Sequence, residues 1–211
     1  LRVLPGGLGI ATLGACAGFA GVSGSPVATA AAMGTIAIPE MNRFGYSPKL
    51  SAGTVAAGGT LGFLIPPSIG FVVYGMLTEQ SIGKLLIAGV APGLLLALAY
   101  ISIIVSWVKI NPKIAPSSPE PVTWKDKFAS LVPVWEPLMI FLVVMGGIYL
   151  GFFTPTEAGG VGATVLFLVA LFKRKLQWTA FKGALLESVS ISVMVLFLVA
   201  GANVFSTFLA L

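Results

Sequence analysis

The chain alternates between long apolar stretches and short polar interruptions. The apolar stretches cover about 5–22, 27–39, 50–77, 84–108, 135–153, 156–172 and 185–211. Because roughly 20 apolar residues of helix cross a bilayer, most of these stretches predict membrane-spanning helices. Stretch 27–39 is too short, since its helix would rise only about 20 Å against a hydrocarbon core of about 30 Å. We therefore expect it to pair with the first stretch, so that about 5–39 forms a re-entrant hairpin.

Composition also indicates an all-α polytopic membrane protein. Apolar residues make up 57% of the chain and charged residues only 9%, whereas soluble domains carry about 25% charged residues. The sequence contains no His, which excludes His-ligated metal sites and His-based acid–base chemistry from this chain. The single cysteine, Cys16, lies in an apolar stretch and is interpreted as a packing residue. With no initiator Met and an apolar run up to Leu211, we expect a piece of a longer protein.

The distribution of basic residues predicts the orientation. If both hairpin ends lie on one side, eleven of the 12 basic residues fall on that side, and only Lys84 falls on the other. Cytoplasmic loops carry such an excess of Lys and Arg, so that side is predicted to be cytoplasmic. The four tryptophans lie near it too: Trp107, Trp124, Trp135 and Trp178. Two full spans in place of the hairpin would give the same parity, so only length favours re-entrance.

The stretch GVSGSPVATAAAMG, residues 21–34, interrupts the proposed hairpin. The stretch from Gly21 to Gly24 is suited to end the incoming helix, because glycine tolerates the left-handed conformation of a C-cap. Ser25 followed by Pro26 is suited to begin the outgoing helix. Such a turn presents unpaired carbonyls from one helix and unpaired N–H groups from the other. Inside a membrane these groups must be buried in protein or line a polar cavity.

The stretch GGTLGFLIPPSIG, residues 58–70, interrupts the span 50–77. Gly58 and Gly59 are expected to weaken the first half of the helix, and Pro66 and Pro67 deny the second half its normal backbone bonds. A discontinuous transmembrane helix beside a re-entrant hairpin is the arrangement that secondary transporters use to bind substrate and ion. Either interruption alone is more often a simple kink or a packing face, but their occurrence in adjacent segments favours a site.

The positions of the acidic residues indicate which ion drives transport. No carboxylate lies deep in either interrupted segment, and a proton relay usually needs an intramembrane acid or His. Neutral oxygens from Ser, Thr and backbone favour Na⁺ instead. Thr154, Pro155 and Glu157 of FFTPTEAGG are interpreted as a capping box that begins the helix 156–172, and Asn203, Ser206 and Thr207 as packing residues.

These interruptions also carry a family resemblance. Residues 23–93, from SGSPVATAAAMG to LLIAGVAPG, and residues 146–163, GGIYLGFFTPTEAGGVGA, resemble the large membrane subunit of TRAP (tripartite ATP-independent periplasmic) transporters. The resemblance implies an elevator-type carrier in the bacterial inner membrane, driven by Na⁺ and without an enzymatic activity or a bound cofactor. It implies two partners, a small membrane subunit and a periplasmic substrate-binding protein. It also implies an organic acid substrate, such as a C4-dicarboxylate or sialic acid.

Family sites carried onto this chain give the candidate residues. The implied Na⁺ ligands are Ser23, Gly24, Ser25, Gly58, Gly59 and Thr60. The implied substrate contacts are Ser25, Pro66, Pro67 and Ser68. The expected organisation is a transport-domain portion at 1–83, a transmembrane helix at 84–108, a cytoplasmic linker at 109–134, two scaffold-like helices and a basic loop at 135–184, and the start of a second repeat at 185–211.

Two other classes stay open on the residues alone. Another elevator-type carrier of anions would work without a binding protein, and a channel-like subunit would conduct through a continuous polar face. Polarity here is confined to the interruptions, which disfavours a channel. No acid dyad or G-x-S-x-G motif favours an intramembrane enzyme. The sequence pI of about 9.5 follows from the cytoplasmic basic residues, and no pattern indicates nucleic-acid binding.

Overall fold

The computed structural model describes residues 5–116, 135–174 and 176–210, and in these ranges its regular structure is helical. The helices are α1 (Gly7–Ser23), α2 (Pro26–Arg43), α3 (Pro48–Leu64), α4 (Ile69–Thr78), α5 (Ile82–Ile110), a 3₁₀ turn (Pro112–Ile114), α6 (Trp135–Tyr149), α7 (Pro155–Phe172) and α8 (Trp178–Ala210). Among the described residues, four helices are long and apolar enough to cross a membrane, with α3 and α4 counted as one. The prediction of an all-α polytopic membrane protein is confirmed.

The first five helices form a bundle, and one buried hydrophobic cluster lies at the end of the bundle where α1 begins. Ile10, Met41 and Ile104 are buried together there, on α1, α2 and α5. Tyr46, which is also buried, accepts a hydrogen bond from the backbone N–H of Leu8 at 3.1 Å. The start of α1 and the end of α2 therefore lie at the same end of the bundle, as the hairpin prediction requires.

Helix α5 runs antiparallel to α3 and α4, and its contacts show how far along the bundle each of them extends. Ile104 lies against Gly6 and Gly9, Gly93 lies against Leu64 and Ile65, and Leu85 lies against Gly75. These contacts proceed in order along α5, so α4 continues away from the end of α3 in the same general direction. At 1.5 Å per residue, the end of α3 lies about 22 Å from Val108 and about 16 Å from Ile82.

The bundle gathers basic residues at the end that holds the start of α1. Arg43, Lys49, Lys109 and Lys113 all lie at or next to helix ends there, whereas Lys84 lies in the first turn of α5 at the opposite end. This asymmetry is typical of a cytoplasmic end. Arg2, Trp124, Lys125, Lys127 and Lys175 lie outside the described residues, as does most of the predicted linker 109–134.

Two helix boundaries differ from the sequence-based predictions. Helix α2 runs for 18 residues to Arg43 instead of ending at about 39, because its last turn carries polar residues that an apolar window leaves out. The length argument for re-entrance is weakened accordingly, since α2 would rise about 27 Å. Helix α8 begins at Trp178, so the predicted start at about 185 is wrong and Lys182 lies in a helix instead of a basic loop.

Helices α6 and α7 form a second hairpin that contacts the bundle. Phe141 on α6 packs near Gly21 on α1. At the start of α7, the Thr154 hydroxyl accepts a hydrogen bond from the Glu157 N–H while the Glu157 carboxylate accepts one from the Thr154 N–H at 2.7 Å. The predicted capping box is confirmed, and its reciprocal hydrogen bonds account for the Thr-Pro-x-Glu pattern.

Candidate ion and substrate site

The turn between α1 and α2, residues 23–25, is called the tip here. Gly24 ends α1 in the left-handed conformation, with φ 61°, and its N–H donates to the Ala20 carbonyl. Ser25 begins α2 as its N-cap, because its side-chain oxygen accepts a hydrogen bond from the Ala28 N–H at 3.3 Å. Pro26 has no N–H, so the Val22 carbonyl four residues earlier lacks its usual helical donor. The local prediction for this turn is confirmed.

The segment between α3 and α4, residues 65–68, is called the break here. It contains Pro66 and Pro67, which deny helical donors to the carbonyls of Gly62 and Phe63. The Ser68 hydroxyl, which is almost fully buried, donates to the Phe63 carbonyl at 2.6 Å. Helix α4 then begins at Ile69 without a side-chain cap. The prolines therefore interrupt the span, as predicted, and Ser68 compensates one of the two carbonyls.

The tip and the break are in direct contact. The Ile69 N–H, the first of α4, donates to the Gly24 carbonyl at 3.3 Å. The Pro67 carbonyl oxygen lies 2.6 Å from the position that a Cβ atom would take on Gly24, and the Pro66 carbonyl oxygen lies 3.7 Å from the corresponding position on Gly21. Carbonyls of the break thus face the end of α1, and at Gly24 only glycine leaves room for them.

Gly58, Gly59 and Thr60 lie inside α3. This helix continues without interruption to Leu64, so the break in the span lies after Leu64 and not at the two glycines. Gly58 faces Cys16 on α1, and Gly59 faces Pro26 and Ala30 on α2. Their missing side chains let the hairpin approach α3 closely, which is the usual role of small residues between membrane helices.

The Thr60 side chain is directed to α5. Its hydroxyl donates to the Ala57 carbonyl at 2.7 Å and lies 2.9 Å from the Tyr100 hydroxyl. Since a threonine hydroxyl has only one hydrogen, Tyr100 is the donor in the second bond. Thr60 therefore connects α3 to α5, and the structure does not bring its side chain to the tip.

The contact region between the tip and the break is called the junction here. Two residues that contribute to it, Gly62 and Thr29, were not predicted from the sequence. Gly62 lies against the Ser25 backbone, with only 3.0 Å between its Cβ position and the Ser25 carbonyl carbon. Thr29 is fully buried, and its hydroxyl lies 2.9 Å from the Ser23 hydroxyl. The spacing of Gly58, Gly59 and Gly62 along one helix face was the available signal for the first, whereas nothing local distinguishes Thr29.

The junction is rich in oxygen and poor in charge. No charged residue occurs between Pro5 and Pro39 or between Leu50 and Thr78. In the described part of the chain, no group of three or more His, Cys, Asp or Glu residues could hold a metal ion. What the junction offers is hydroxyl oxygens of Ser23 and Ser25 and carbonyl oxygens of the break, a set suited to a hard monovalent cation and not to a transition metal.

Comparison with known proteins identifies the family. Residues 3–211 match the model of the "Tripartite ATP-independent periplasmic transporter, DctM component". The chain belongs to the DctM family. It is a multi-pass membrane protein of the TRAP large-permease type, and the sequence-based resemblance is confirmed.

Curated TRAP permeases are similar along most of the chain. The C4-dicarboxylate TRAP transporter large permease protein DctM of Pseudomonas aeruginosa is 46% identical over 95% of this chain and 47% of its own length. The isethionate TRAP transporter permease protein DctMQ of Oleidesulfovibrio alaskensis is 38% identical over the whole chain and 33% of its own length. The ectoine TRAP transporter large permease protein TeaC of Halomonas elongata is 37% identical over 80% and 38%, respectively. The chain therefore spans about half the length of curated TRAP permeases, or less.

Proposed function

We propose that this chain forms one ion-binding half of a sodium-coupled, binding-protein-dependent importer of small organic acid anions. The observation that carries the proposal is the contact between the tip and the break, where the Ile69 N–H meets the Gly24 carbonyl. Two interrupted helical elements that meet in a membrane protein are the arrangement in which secondary transporters bind ions and substrates. Family membership supports the same reading.

The level of the tip along the membrane-spanning helices supports a re-entrant hairpin. The tip lies beside the end of α3, and α4 continues along α5 for about 16 Å beyond that level. On the other side, about 22 Å of helix separates this level from the basic end of the bundle. Because the hydrocarbon core is about 30 Å thick, the tip turns back inside the span of α3 and α4. The position of the tip along the bundle therefore supports re-entrance, whereas the length of α2 does not.

The proposed Na⁺ ligands are oxygens of the tip and the break. The tip contributes Ser23, Gly24 and Ser25, and the break contributes the carbonyls of Pro66 and Pro67, which face α1. In this proposal, Gly58 and Gly59 are the small residues against which the hairpin packs. Thr60 connects α3 to α5 through Tyr100. Sodium is a transported ion in this scheme.

The substrate anion would bind where helices begin. Helix α4 has no side-chain cap at Ser68, so the N–H groups of its first turn other than Ile69 are available to an anionic group. The dipole of α4 favours the same charge. Ser25, Pro66, Pro67 and Ser68 surround this helix start and the adjacent start of α2. We propose a carboxylate-bearing substrate, of the C4-dicarboxylate or sialic acid type.

Transport would follow an elevator mechanism in the bacterial inner membrane. The bundle of α1 to α5 would move as the ion-carrying part, while α6 and α7 would belong to the scaffold and α8 would begin a second repeat. A small membrane subunit and a periplasmic binding protein would complete the transporter. The combined name DctMQ of the Oleidesulfovibrio alaskensis relative is consistent with a permease that works with a second membrane component.

Replacing Ser25 with alanine tests the ion assignment. In the complete transporter, we expect Ser25→Ala to raise the Na⁺ concentration for half-maximal uptake about tenfold, because loss of one ligand and of the N-cap weakens the tip by about 1–2 kcal/mol. The measurement is uptake of radiolabelled organic acid into proteoliposomes as a function of Na⁺.

Two matched variants sharpen this test. Ser102→Ala removes a hydroxyl that only bonds the Leu98 carbonyl on an exposed face of α5, so it should leave the sodium dependence unchanged. Thr60→Val removes the bond to Tyr100 and should lower the rate without shifting the sodium dependence. An unaltered sodium requirement in Ser25→Ala would remove Ser25 from the ion site.

The alternative classes give different results in the same proteoliposomes. A carrier of this type takes up substrate only when its binding protein is added, whereas an elevator carrier without such a partner does not need it. A channel-like subunit would show single-channel conductance in planar bilayers. Uptake that is independent of the binding protein would contradict the proposed function.

A further inference from the structure

Thr29 connects the two helices of the hairpin across the tip. It lies near the start of α2, where its N–H donates to the Ser25 carbonyl at 3.0 Å. Its side chain is fully buried. Its hydroxyl lies 2.9 Å from the hydroxyl of Ser23, the last residue of α1. This hydrogen bond therefore joins the beginning of the outgoing helix to the end of the incoming one.

The Thr29 hydroxyl is paired with Ser23 and not with its own helix. Thr35, which lies on the same helix, donates to the Ala32 carbonyl three residues earlier at 2.8 Å. Among the described residues, Thr29 makes no bond of this kind, and Ser23 is the partner of its hydroxyl. Because an unpaired buried hydroxyl is destabilising, the fold favours the pairing of Thr29 with Ser23.

The Ser23 hydroxyl has a position left for a further ligand. A serine hydroxyl offers one hydrogen and two lone pairs, and Thr29 occupies one of these positions. The Ser25 N–H occupies a lone pair at 3.4 Å, which is long for a hydrogen bond. Because Ser23 is half-buried and belongs to the tip, the remaining position can serve a ligand of the junction.

The direction of the bond between Ser23 and Thr29 decides which kind of ligand this is. If Thr29 donates, the remaining position on Ser23 is a hydrogen, which suits an anion. If Ser23 donates, the remaining position is a lone pair, which suits a cation. Donation also increases the negative charge on the Ser23 oxygen, since hydrogen bonds in a chain polarise one another. The second arrangement is therefore the one that a sodium ligand requires.

We propose that Thr29 is a positioning residue of the proposed sodium site. Its oxygen accepts the Ser23 hydrogen when Na⁺ is bound, and this turns a lone pair of Ser23 towards the ion. Thr29 acts only through Ser23 and does not bind the ion itself. Ser25 needs no such partner, because the Ala28 N–H already orients its oxygen. The inference rests on the proposed function, since Ser23 is a Na⁺ ligand only in that scheme.

The test is equilibrium binding of radioactive sodium to the complete purified transporter. Thr29→Val keeps the shape of the side chain and removes its oxygen, so the dissociation constant for Na⁺ should rise about fivefold, as loss of one neutral hydrogen bond implies. Thr29→Ser retains the hydroxyl and should restore the wild-type affinity. Thr35→Val is the matched control on the same helix, because the Thr35 hydroxyl bonds a backbone carbonyl at an exposed position. It should bind sodium like wild type.

A double-mutant cycle separates positioning from a merely structural role. Ser23→Ala should weaken sodium binding at least as much as Thr29→Val does. Adding Thr29→Val to Ser23→Ala should have no further effect, because Thr29 acts through Ser23. If Thr29→Val loses helix content by circular dichroism, Thr29→Ala replaces it in the cycle.

The outcomes distinguish this inference from the proposed function. Losses of affinity that add in the double variant, or a loss in only one of the two single variants, would overturn the role of Thr29 alone. Wild-type affinity in both single variants, together with a loss in Ser25→Ala, would do the same. Wild-type affinity in Ser25→Ala as well would contradict the proposed sodium site itself.

Discussion

Gly24→Ala is expected to reduce sodium-driven uptake by at least about tenfold, because the substitution strains the tip and displaces it from the break. A non-glycine residue in the left-handed conformation costs about 1–2 kcal/mol, and Gly24 has φ 61°. The added methyl group would also lie 2.6 Å from the Pro67 carbonyl oxygen. That oxygen belongs to the backbone, so the methyl group cannot be accommodated by a side-chain rotation. The measurement is initial uptake by the complete transporter in proteoliposomes.

Glycines elsewhere in α1 supply the control for this variant. Nothing lies within 4 Å of the Cβ positions of Gly14 and Gly18, and both have ordinary helical conformations. Gly14→Ala and Gly18→Ala should therefore retain uptake within about twofold of wild type, since alanine favours a helix over glycine by about 1 kcal/mol. If Gly24→Ala transported as well as these variants, close contact between tip and break would not be needed for transport.

Replacing Pro66 and Pro67 together with alanine is expected to abolish uptake while leaving the protein at least as helical. Without the prolines, the carbonyls of Gly62 and Phe63 regain N–H donors, and α3 and α4 can join into one helix. Because proline costs about 3 kcal/mol inside a helix and alanine does not, the helix content measured by circular dichroism should stay the same or rise. Transport should fail because the carbonyls that face α1 would be paired within the helix.

Pro39→Ala is the matched control for the double variant. Pro39 also lies inside a helix, near the C-terminal end of α2, about 20 Å along the helix from the tip. This variant should transport normally. Uptake by the Pro66→Ala/Pro67→Ala protein at the wild-type rate would show that an interrupted α3–α4 span is not required. Loss of uptake together with loss of helix content would instead indicate misfolding.

Features set by neighbours in the chain could be predicted from the sequence. The ends of α1 and α2 follow from Gly24, Ser25 and Pro26, whose conformational preferences act locally. The capping box at Thr154 and Glu157 is likewise a contact between residues three positions apart. In each case the physical cause lies within one turn of helix, so the pattern of residues was sufficient.

Features that depend on packing could not be predicted in this way. Gly58 and Gly59 look like helix-weakening residues in isolation, but the hairpin packs against them and α3 stays continuous. The direction of the Thr60 hydroxyl depends on Tyr100, which is distant in the chain. The pocket lined by Leu13, Gly53 and Ile104 also depends on packing, because it lies where α1, α3 and α5 meet. Polar residues within α2 and at the start of α8 concealed helix ends that an apolar window misses.

Equilibrium binding of radioactive sodium to the purified complete transporter tests the central claim most directly. The tip and the break together form one Na⁺ site in this account. Gly24→Ala should therefore bind one ion fewer per transporter than wild type, whereas Gly14→Ala should bind the wild-type number. An unchanged number of bound ions with unchanged affinity in Gly24→Ala would contradict the account.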